Sequence, residues 1–442
     1  MSRGALPRRA MLLGAAALLP GCGTLDDLFG ERKRPLPGER VNILRSDSEL
    51  TTDTDAAAVT LPPPEQVADW PMNGGPVSHA PGHVALGERL SVAWRASAGS
   101  GSGYRQRMTS GPVIVDGVVY AVDAWGSVFA CTLADGRTRW NRDSTPEDES
   151  AGPVAGGVGV ADGVVYVSTG LAEILAINAA DGSVRWRERL PAPARGAPTI
   201  AGGRIFVTTL DNQLVALSTE DGRRIWAHRG QSLSTMPLGL GAPAVEGDTV
   251  VAGFGTGEVV AARVSDGRVQ WGESVGSTAL MSLADFIGIT ALPVIDRGRV
   301  FIVGQSNTTI AVDLRSGRRL WERPFGGGNH VATAGDYAFA ATRSGEVVAV
   351  GREDGRIAWV TELDPPPAQG SRRGPPIRLG PALVGGGRII VPTSRAELVL
   401  LNPGNGSIAG RVPTGSGITL PMAVSQGTLV ALGDDGTLIA LR

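Results

Sequence analysis

The sequence predicts an all-β protein, an eight-bladed β-propeller of four-stranded antiparallel blades, closed by pairing an N-terminal strand with the C-terminal blade. Three observations carry this. Gly numbers 63 and Pro 30, while only 19% of residues are charged, a composition that suits short apolar strands cut by turns. A unit of four such strands recurs with a period of about 45 residues, the range of propeller blades. The last unit stops one strand short, and a matching strand stands at the other end of the array.

The clearest unit runs from Gly111 to Trp140. A first strand, Val113-Ile114-Val115, turns at Asp116-Gly117 into Val118 to Val122. A second turn, Asp123 to Ser127, leads into Val128 to Cys131, and Asp135-Gly136 leads into Arg137 to Trp140. Asp-Gly supplies the positive φ angles that tight hairpins demand.

The last turn and closing Trp recur as Asp181-Gly182 with Trp186, Asp221-Gly222 with Trp226 and Asp266-Gly267 with Trp271. They recur again as Ser316-Gly317 with Trp321 and Asp354-Gly355 with Trp359. A seventh turn, Asn405-Gly406, has no Trp after it. The first strand opens on Pro112, Pro153, Pro198, Pro243, Pro293, Pro381 and Pro421, a position where Pro is tolerated; the sixth unit, near Val331, lacks it. The eighth unit ends at Arg442 after Leu438 to Leu441, and Leu90 to Arg95, with Trp94, matches its missing fourth strand. Pairing the two ends removes exposed sheet edges at the junction. The recurrent Trp residues are expected to pack between neighbouring blades.

Residues 70–442 are therefore assigned to the propeller, and the segment before them divides in two. Residues 1–21 read as an export signal: Arg3, Arg8 and Arg9 precede a short apolar run, Met11 to Leu19, too short to span a bilayer. Arg8-Arg9 also fits a twin-arginine signal, with ordinary secretion ranked first. Leu19-Pro20-Gly21-Cys22 reads as a lipobox, so Cys22 is the expected lipidation site. Gly23, in place of Asp, directs such a lipoprotein to the outer membrane, on its periplasmic side. Residues 22–69, rich in Pro and acidic residues, show no sustained period and are expected to be a flexible tether.

Several function classes find little support. A net charge of -2 argues against nucleic acid as a partner. Cys22 and Cys131 are the two cysteines, so a CxxC pair is impossible, and Cys131 reads as a small buried strand residue. His79 and His83 are separated by Pro81-Gly82, which disfavours a helical zinc spacing; with His228 and His330 they read as ordinary polar residues. There is no GxSxG elbow and no phosphate loop, and Pro324 to Asn329 reads as a plain Gly-rich loop.

Ala176-Ile177-Asn178-Ala179-Ala180-Asp181-Gly182-Ser183-Val184-Arg185-Trp186 resembles the pyrroloquinoline-quinone (PQQ) type propeller repeat, a resemblance that covers roughly Trp70 to Arg442. Two branches of that superfamily are relevant, quinoprotein dehydrogenases and BamB, a lipoprotein of the outer-membrane β-barrel assembly machinery. The lipobox, the acidic tether, the eight compact blades and the entry segment Trp70 to His79 together resemble the BamB family, especially its alphaproteobacterial form. That resemblance implies a non-enzymatic scaffold without cofactor or metal, a monomeric propeller within a hetero-complex. Its partners would be the POTRA domains of BamA and the other lipoproteins of the machinery. It also implies contact loops before the fourth and fifth blades, here Leu238, Leu240 and Gly241, and Leu283 and Asp285. Gly241 stands where the family often has Arg. The residues themselves leave two roles open for Leu238 and Leu240, a contact patch or tucking under the blade. The stretch Ser277 to Ile289 is an insertion with apolar content of its own, more often functional than a short turn.

Two alternatives stay open. A quinoprotein dehydrogenase would hold PQQ on calcium through Glu, Asn and Asp oxygens, and this chain lacks the vicinal Cys pair many of them carry. Another propeller lipoprotein would bind cell-wall components, with Arg372, Arg373 and Arg378 as a candidate basic patch. The lipid reading has a direct check: mass spectrometry of the mature N-terminal peptide should find Cys22 acylated, and Cys22→Ser should move the protein out of the membrane fraction. An unmodified mature peptide contradicts it.

Overall fold

Short apolar strands of this chain can hide both faces only by stacking sheets against one another, and they do so around a ring. A computed structural model describes residues 50–103, 106–146, 155–194, 196–232, 239–275, 288–364 and 375–442, all within the unit Ser48–Arg442. The described residues form 32 strands in eight four-stranded antiparallel sheets. Blade 1 has strands Val113–Val115, Val118–Val122, Val128–Thr132 and Thr138–Arg142, bonded in chain order. Blades 2 to 7 repeat this order. Blade 8 is composite: Ala423–Ser425, Thr428–Leu432 and Thr437–Leu441 are completed by Val92–Ser97. The closure expected from the sequence is thus the observed one, with Arg95 opposite Ile439 and Ala96 opposite Leu438.

Burial grades outward. The second strand of blade 1 is buried at every position, whereas outer strands such as Val92–Ser97 alternate between half-buried and exposed residues. The outer strand of blades 1 to 7 carries a β-bulge at the same place, for example between Ala130 and Cys131 and between Ala261 and Ala262. The bulge sets the Trp opposite a small Ala: Trp140 faces Ala130, Trp271 faces Ala261, Trp321 faces Ala311 and Trp359 faces Ala349. The indole then leans over the neighbouring blade.

That lean is the lock between blades. Indole N–H groups donate to carbonyls of the next blade's third hairpin: Trp94 to Leu133 at 2.9 Å, Trp140 to Ala179 at 2.9 Å and Trp226 to Val264 at 3.0 Å. Trp271 donates to Leu314 at 2.7 Å, Trp321 to Arg352 at 3.1 Å and Trp359 to Pro403 at 2.7 Å. The ring lies on the turn Gly of that hairpin. Gly317, at φ +71°, has no room for a side chain, because a Cβ would sit 2.6 Å from Cγ of Trp271. An aromatic of this kind buries on the order of 150–250 Å².

Blade 7 has no Trp, and topology explains why. In blade 8 the third and fourth strands come from opposite ends of the chain, so no hairpin joins them. Ser91 and Arg442 exchange backbone hydrogen bonds of 2.8 and 3.0 Å there instead. A blade 7 Trp would have no turn to dock on. Arg95 bridges that junction by donating to Thr414 O at 2.8 Å.

The first and third hairpin turns of each blade lie at one end of the ring, the turn face. The second turns and the connections between blades lie at the other, the loop face. From the turn face, the segment Val67 to Val84 enters the axis. Trp70 exchanges two backbone hydrogen bonds with Ile114 of blade 1, at 2.6 and 2.8 Å. Its carbonyls at Pro71, Val77 and Ser78 accept from Val160, Val245 and Ile295 of blades 2, 4 and 5, at 2.8 to 2.9 Å. Val84 bonds Val384 of blade 7, and Val67 accepts from Gln426 of blade 8. Met72 packs with Ile200 of blade 3, and Ala80 with the cluster containing Val331, beside blade 6.

The tether boundary needs a correction for its described part. The reading above runs the flexible segment to residue 69, yet residues 50–69 are laid on the blades. Asp53 N–H donates to Ile357 O and its carboxylate accepts from Ile357 N at 2.7 Å, Val59 joins the core of blades 6 and 7, and Asp69 caps Asp116 N–H at 2.9 Å. Pro-rich segments need no periodicity to dock when backbone groups and isolated apolar side chains do the work. Cys22 and the rest of that reading lie outside the described residues.

Comparing Gly317→Ala with Gly298→Ala isolates the lock. Both glycines have φ near +71° to +74°, but a Cβ on Gly298 meets nothing within 4 Å. Urea unfolding should show roughly 1–2 kcal/mol lost at Gly298 from φ alone, and roughly 2–4 kcal/mol at Gly317, where overpacking adds. Equal losses contradict the lock.

Candidate functional site

The two faces differ in what they leave open. The turn face is occupied by the axial segment, whose side chains reach the far end of the inner strands. Asn73 Oδ1 accepts from Gly111 N–H at 3.0 Å, and His79 Nδ1 donates to Pro293 O at 2.8 Å. His83 makes a hydrogen bond of 2.6 Å with Pro62 O, and its Nε2 accepts from Gly387 N–H at 2.9 Å. These histidines, read above as ordinary polar residues, are buried fastenings of the axis. His330 is buried beside the same small cavity, of about 20 Å³, that Trp70 and His79 line.

On the loop face the connections converge on a funnel of about 600 Å³. Its wall draws on blades around the ring: Arg107 and Met108 before blade 1, Leu240 before blade 4, Thr290 before blade 5, Asn329 before blade 6 and Arg378 before blade 7. Gln305 and Arg343 come from second turns of blades 5 and 6. Asn329 Nδ2 bridges Ala341 O and Leu379 O at 3.1 and 2.9 Å, and Gln305 Nε2 donates to Thr290 Oγ1 at 2.6 Å, so the wall is braced.

The residues singled out for partner contact fall unevenly on this face. Leu240 lines the funnel but is buried, 4% exposed, so it offers little surface to a partner. Gly241 is also buried; a Cβ there would fall on Ala291 O, and Thr208 donates to its carbonyl at 3.0 Å. An Arg has no room at that position. Leu238, Leu283 and Asp285 lie outside the described residues, as do Arg372 and Arg373. Cys131 is buried in the third strand of blade 1, where burial pushes its thiol up to about 12.

The family model described as outer membrane protein assembly factor BamB matches residues 126–361. The chain belongs to the BamB family. Outer membrane protein assembly factor BamB of Nitrosomonas eutropha is 25% identical over 94% of this chain and 90% of its own length. That of Bordetella pertussis is 26% identical over 81% and 88%. The crystal structure of BamB from Moraxella catarrhalis superposes with a TM-score of 0.63 at 19% identity, over 80% of this chain and 98% of that one. Quinohemoprotein alcohol dehydrogenase from Comamonas testosteroni superposes equally well, with a TM-score of 0.66 at 14% identity, over 84% and 80%. Structural likeness at this identity establishes the propeller and leaves the choice of chemistry to the residues.

The described residues of the funnel do not fit a calcium-bound quinone. Among the described residues, no Asp or Glu lines the funnel of this BamB-family chain. Among the described residues no cluster of three His, Cys, Asp or Glu side chains could hold a metal ion.

Burial lowers His79 from 6.5 to about 4 and His330 to about 3, with His79 adding repulsion to His330. Both folded values lie below the unfolded one, so the unfolded chain binds protons first. The folded state should be most stable above pH 6.5 and lose stability as pH falls from there towards 4. Melting temperature against pH checks this. His79→Gln should flatten that limb of the curve, and an unchanged slope in the variant contradicts the assignment.

Proposed function

We propose that this chain is a non-enzymatic scaffold of outer-membrane protein assembly, working on the periplasmic side of the outer membrane and held there by lipid on Cys22. The observation that supports it most is the family match over residues 126–361, joined to a braced funnel whose described residues lack the carboxylates that quinone chemistry would use. A scaffold needs a rigid body and a presented surface. The locks between blades and the filled axis supply the first; the loop face, where the inter-blade connections emerge, supplies the second.

The partner in this reading is BamA, bound through its POTRA domains, with other lipoproteins of the assembly machinery in the same complex. The connections before blades 4 and 5 carry the contact. Since Leu240 is buried and Gly241 has no space for a side chain, Leu238, Leu283 and Asp285 are its better candidates.

Pull-down of the tagged chain from gently solubilised membranes tests this. BamA should co-purify, and the double variant Leu238→Glu, Leu283→Glu should reduce recovery tenfold or more with an unchanged melting temperature. Undiminished recovery removes those loops from the contact. A dehydrogenase's electron acceptor or a cell-wall enzyme in place of BamA overturns the function.

A further inference from the structure

The funnel on the loop face has a charge of its own. Across the blades, arginines are regularly met by acids: Arg137 by Asp135, Arg263 by Asp266, Arg356 by Asp354 and Arg395 by Asp364. In the funnel this stops. Among the described residues, Arg107 and Arg343 have no ion-pair partner and no Asp or Glu contributes to the wall. Arg378 alone is answered, by Asp434 behind it at 3.1 Å. The chain as a whole carries -2, so this local excess of cations is not a reflection of net charge.

The site is also built. The Gly-rich run Gly326 to Gly328, packed closely on the second turn of blade 5, shapes it. Arg343 N–H donates to Gly326 O at 3.0 Å, fixing the turn that presents Arg343. A Cβ on Gly327 would press on the Arg343 backbone, 3.2 Å from its nitrogen, and one on Gly328 would crowd Gln305 and Thr290 at 3.4 and 3.5 Å. The small residue at Gly327 leaves room for the Arg343 backbone.

The remaining lining narrows the ligand. Side-chain oxygens of Thr290, Gln305 and Thr419 line the wall and can accept from peptide N–H groups, whereas Leu240 and Met108 are buried and add little surface. Among the described residues no aromatic side chain lines the funnel, so they offer no stacking platform of the kind that nucleotides or single-stranded nucleic acid would use. About 600 Å³ is the size of a site for a few peptide residues. We propose that this funnel is a socket for an acidic peptide segment, whose carboxylates pair with Arg107 and Arg343. Both arginines are exposed at the mouth of the funnel, free to meet a carboxylate, and salt screens such pairs.

The proposal adds a second contact to the docking reading and depends on different residues. Fluorescence anisotropy with a fluorescein-labelled, terminally blocked tetraglutamate tests it on the full mature chain. Inorganic tripolyphosphate and a tetralysine peptide serve as comparisons, and Arg137→Glu on the turn face as the control variant. Saturable binding is expected that weakens with salt, falls tenfold or more in Arg343→Glu and in Arg107→Glu, and is unchanged in Arg137→Glu. Melting temperatures show that the variants fold. Absence of saturation, equal binding by the wild type and both funnel variants, or a clear preference for tripolyphosphate overturns the acidic-peptide socket. A chain that still recovers BamA but ignores the peptide sinks the socket alone.

Discussion

Eight blades set around a common axis leave a core that their inner strands cannot fill, and the rest of this structure depends on how that space is occupied. The inner strands are three residues long in most blades and point backbone groups at the axis. Unpaired and shielded from water, those groups would each carry a desolvation cost. Val67 to Val84 meets them. Its Trp70, Met72 and His79 are buried, and its backbone bonds inner strands in blades 1, 2, 4, 5 and 7 and the first turn of blade 8. A segment outside the repeat is thus the part that touches the whole ring.

The locks between blades act at the opposite radius. Each indole spans a junction near the rim by packing on a turn glycine of the next blade, and Trp94, Trp140, Trp226, Trp271, Trp321 and Trp359 add a directed hydrogen bond. The same device that closes most junctions is absent at the blade 7 to blade 8 junction, because the chain ends meet in blade 8. Hub and rim together hold the second turns and inter-blade connections at fixed positions, so the loop face is a surface presented by a stiff body. A scaffold binding a partner through that face loses little freedom in doing so.

What was legible in the sequence follows from what repeats. Strand ends, the split blade and the Trp positions could be read because a turn ending in Gly and the apolar runs around it recur seven times over. Val67 to Val84 could not be read as a hub, since it occurs once and its contacts are backbone bonds with residues far away in sequence. For the same reason Asp53 and Val59 looked like tether. His79 and His83 carried no metal spacing, and only the fold shows them seated on Pro293 and Pro62 carbonyls. The departure at Gly241 was visible in the sequence, but its cause, the approach of Ala291, was not. The funnel was hidden too: Arg107, Arg343 and Arg378 are spread over most of the array, and only ring closure brings them to one mouth.

Native-state hydrogen exchange tests the dependence on the axis most directly. The amides that inner strands give to the axial segment, at Ile114, Val160, Val245 and Ile295, are the ones to follow, together with Trp70 and Val84. If the segment is the hub, all of these exchange only through global unfolding, with the same denaturant dependence as buried second-strand amides such as that of Val119. Exchange of Trp70, Val84 and their partners through a low-energy local opening, while the blades stay protected, would show a ring that stands without its axis and would contradict the account.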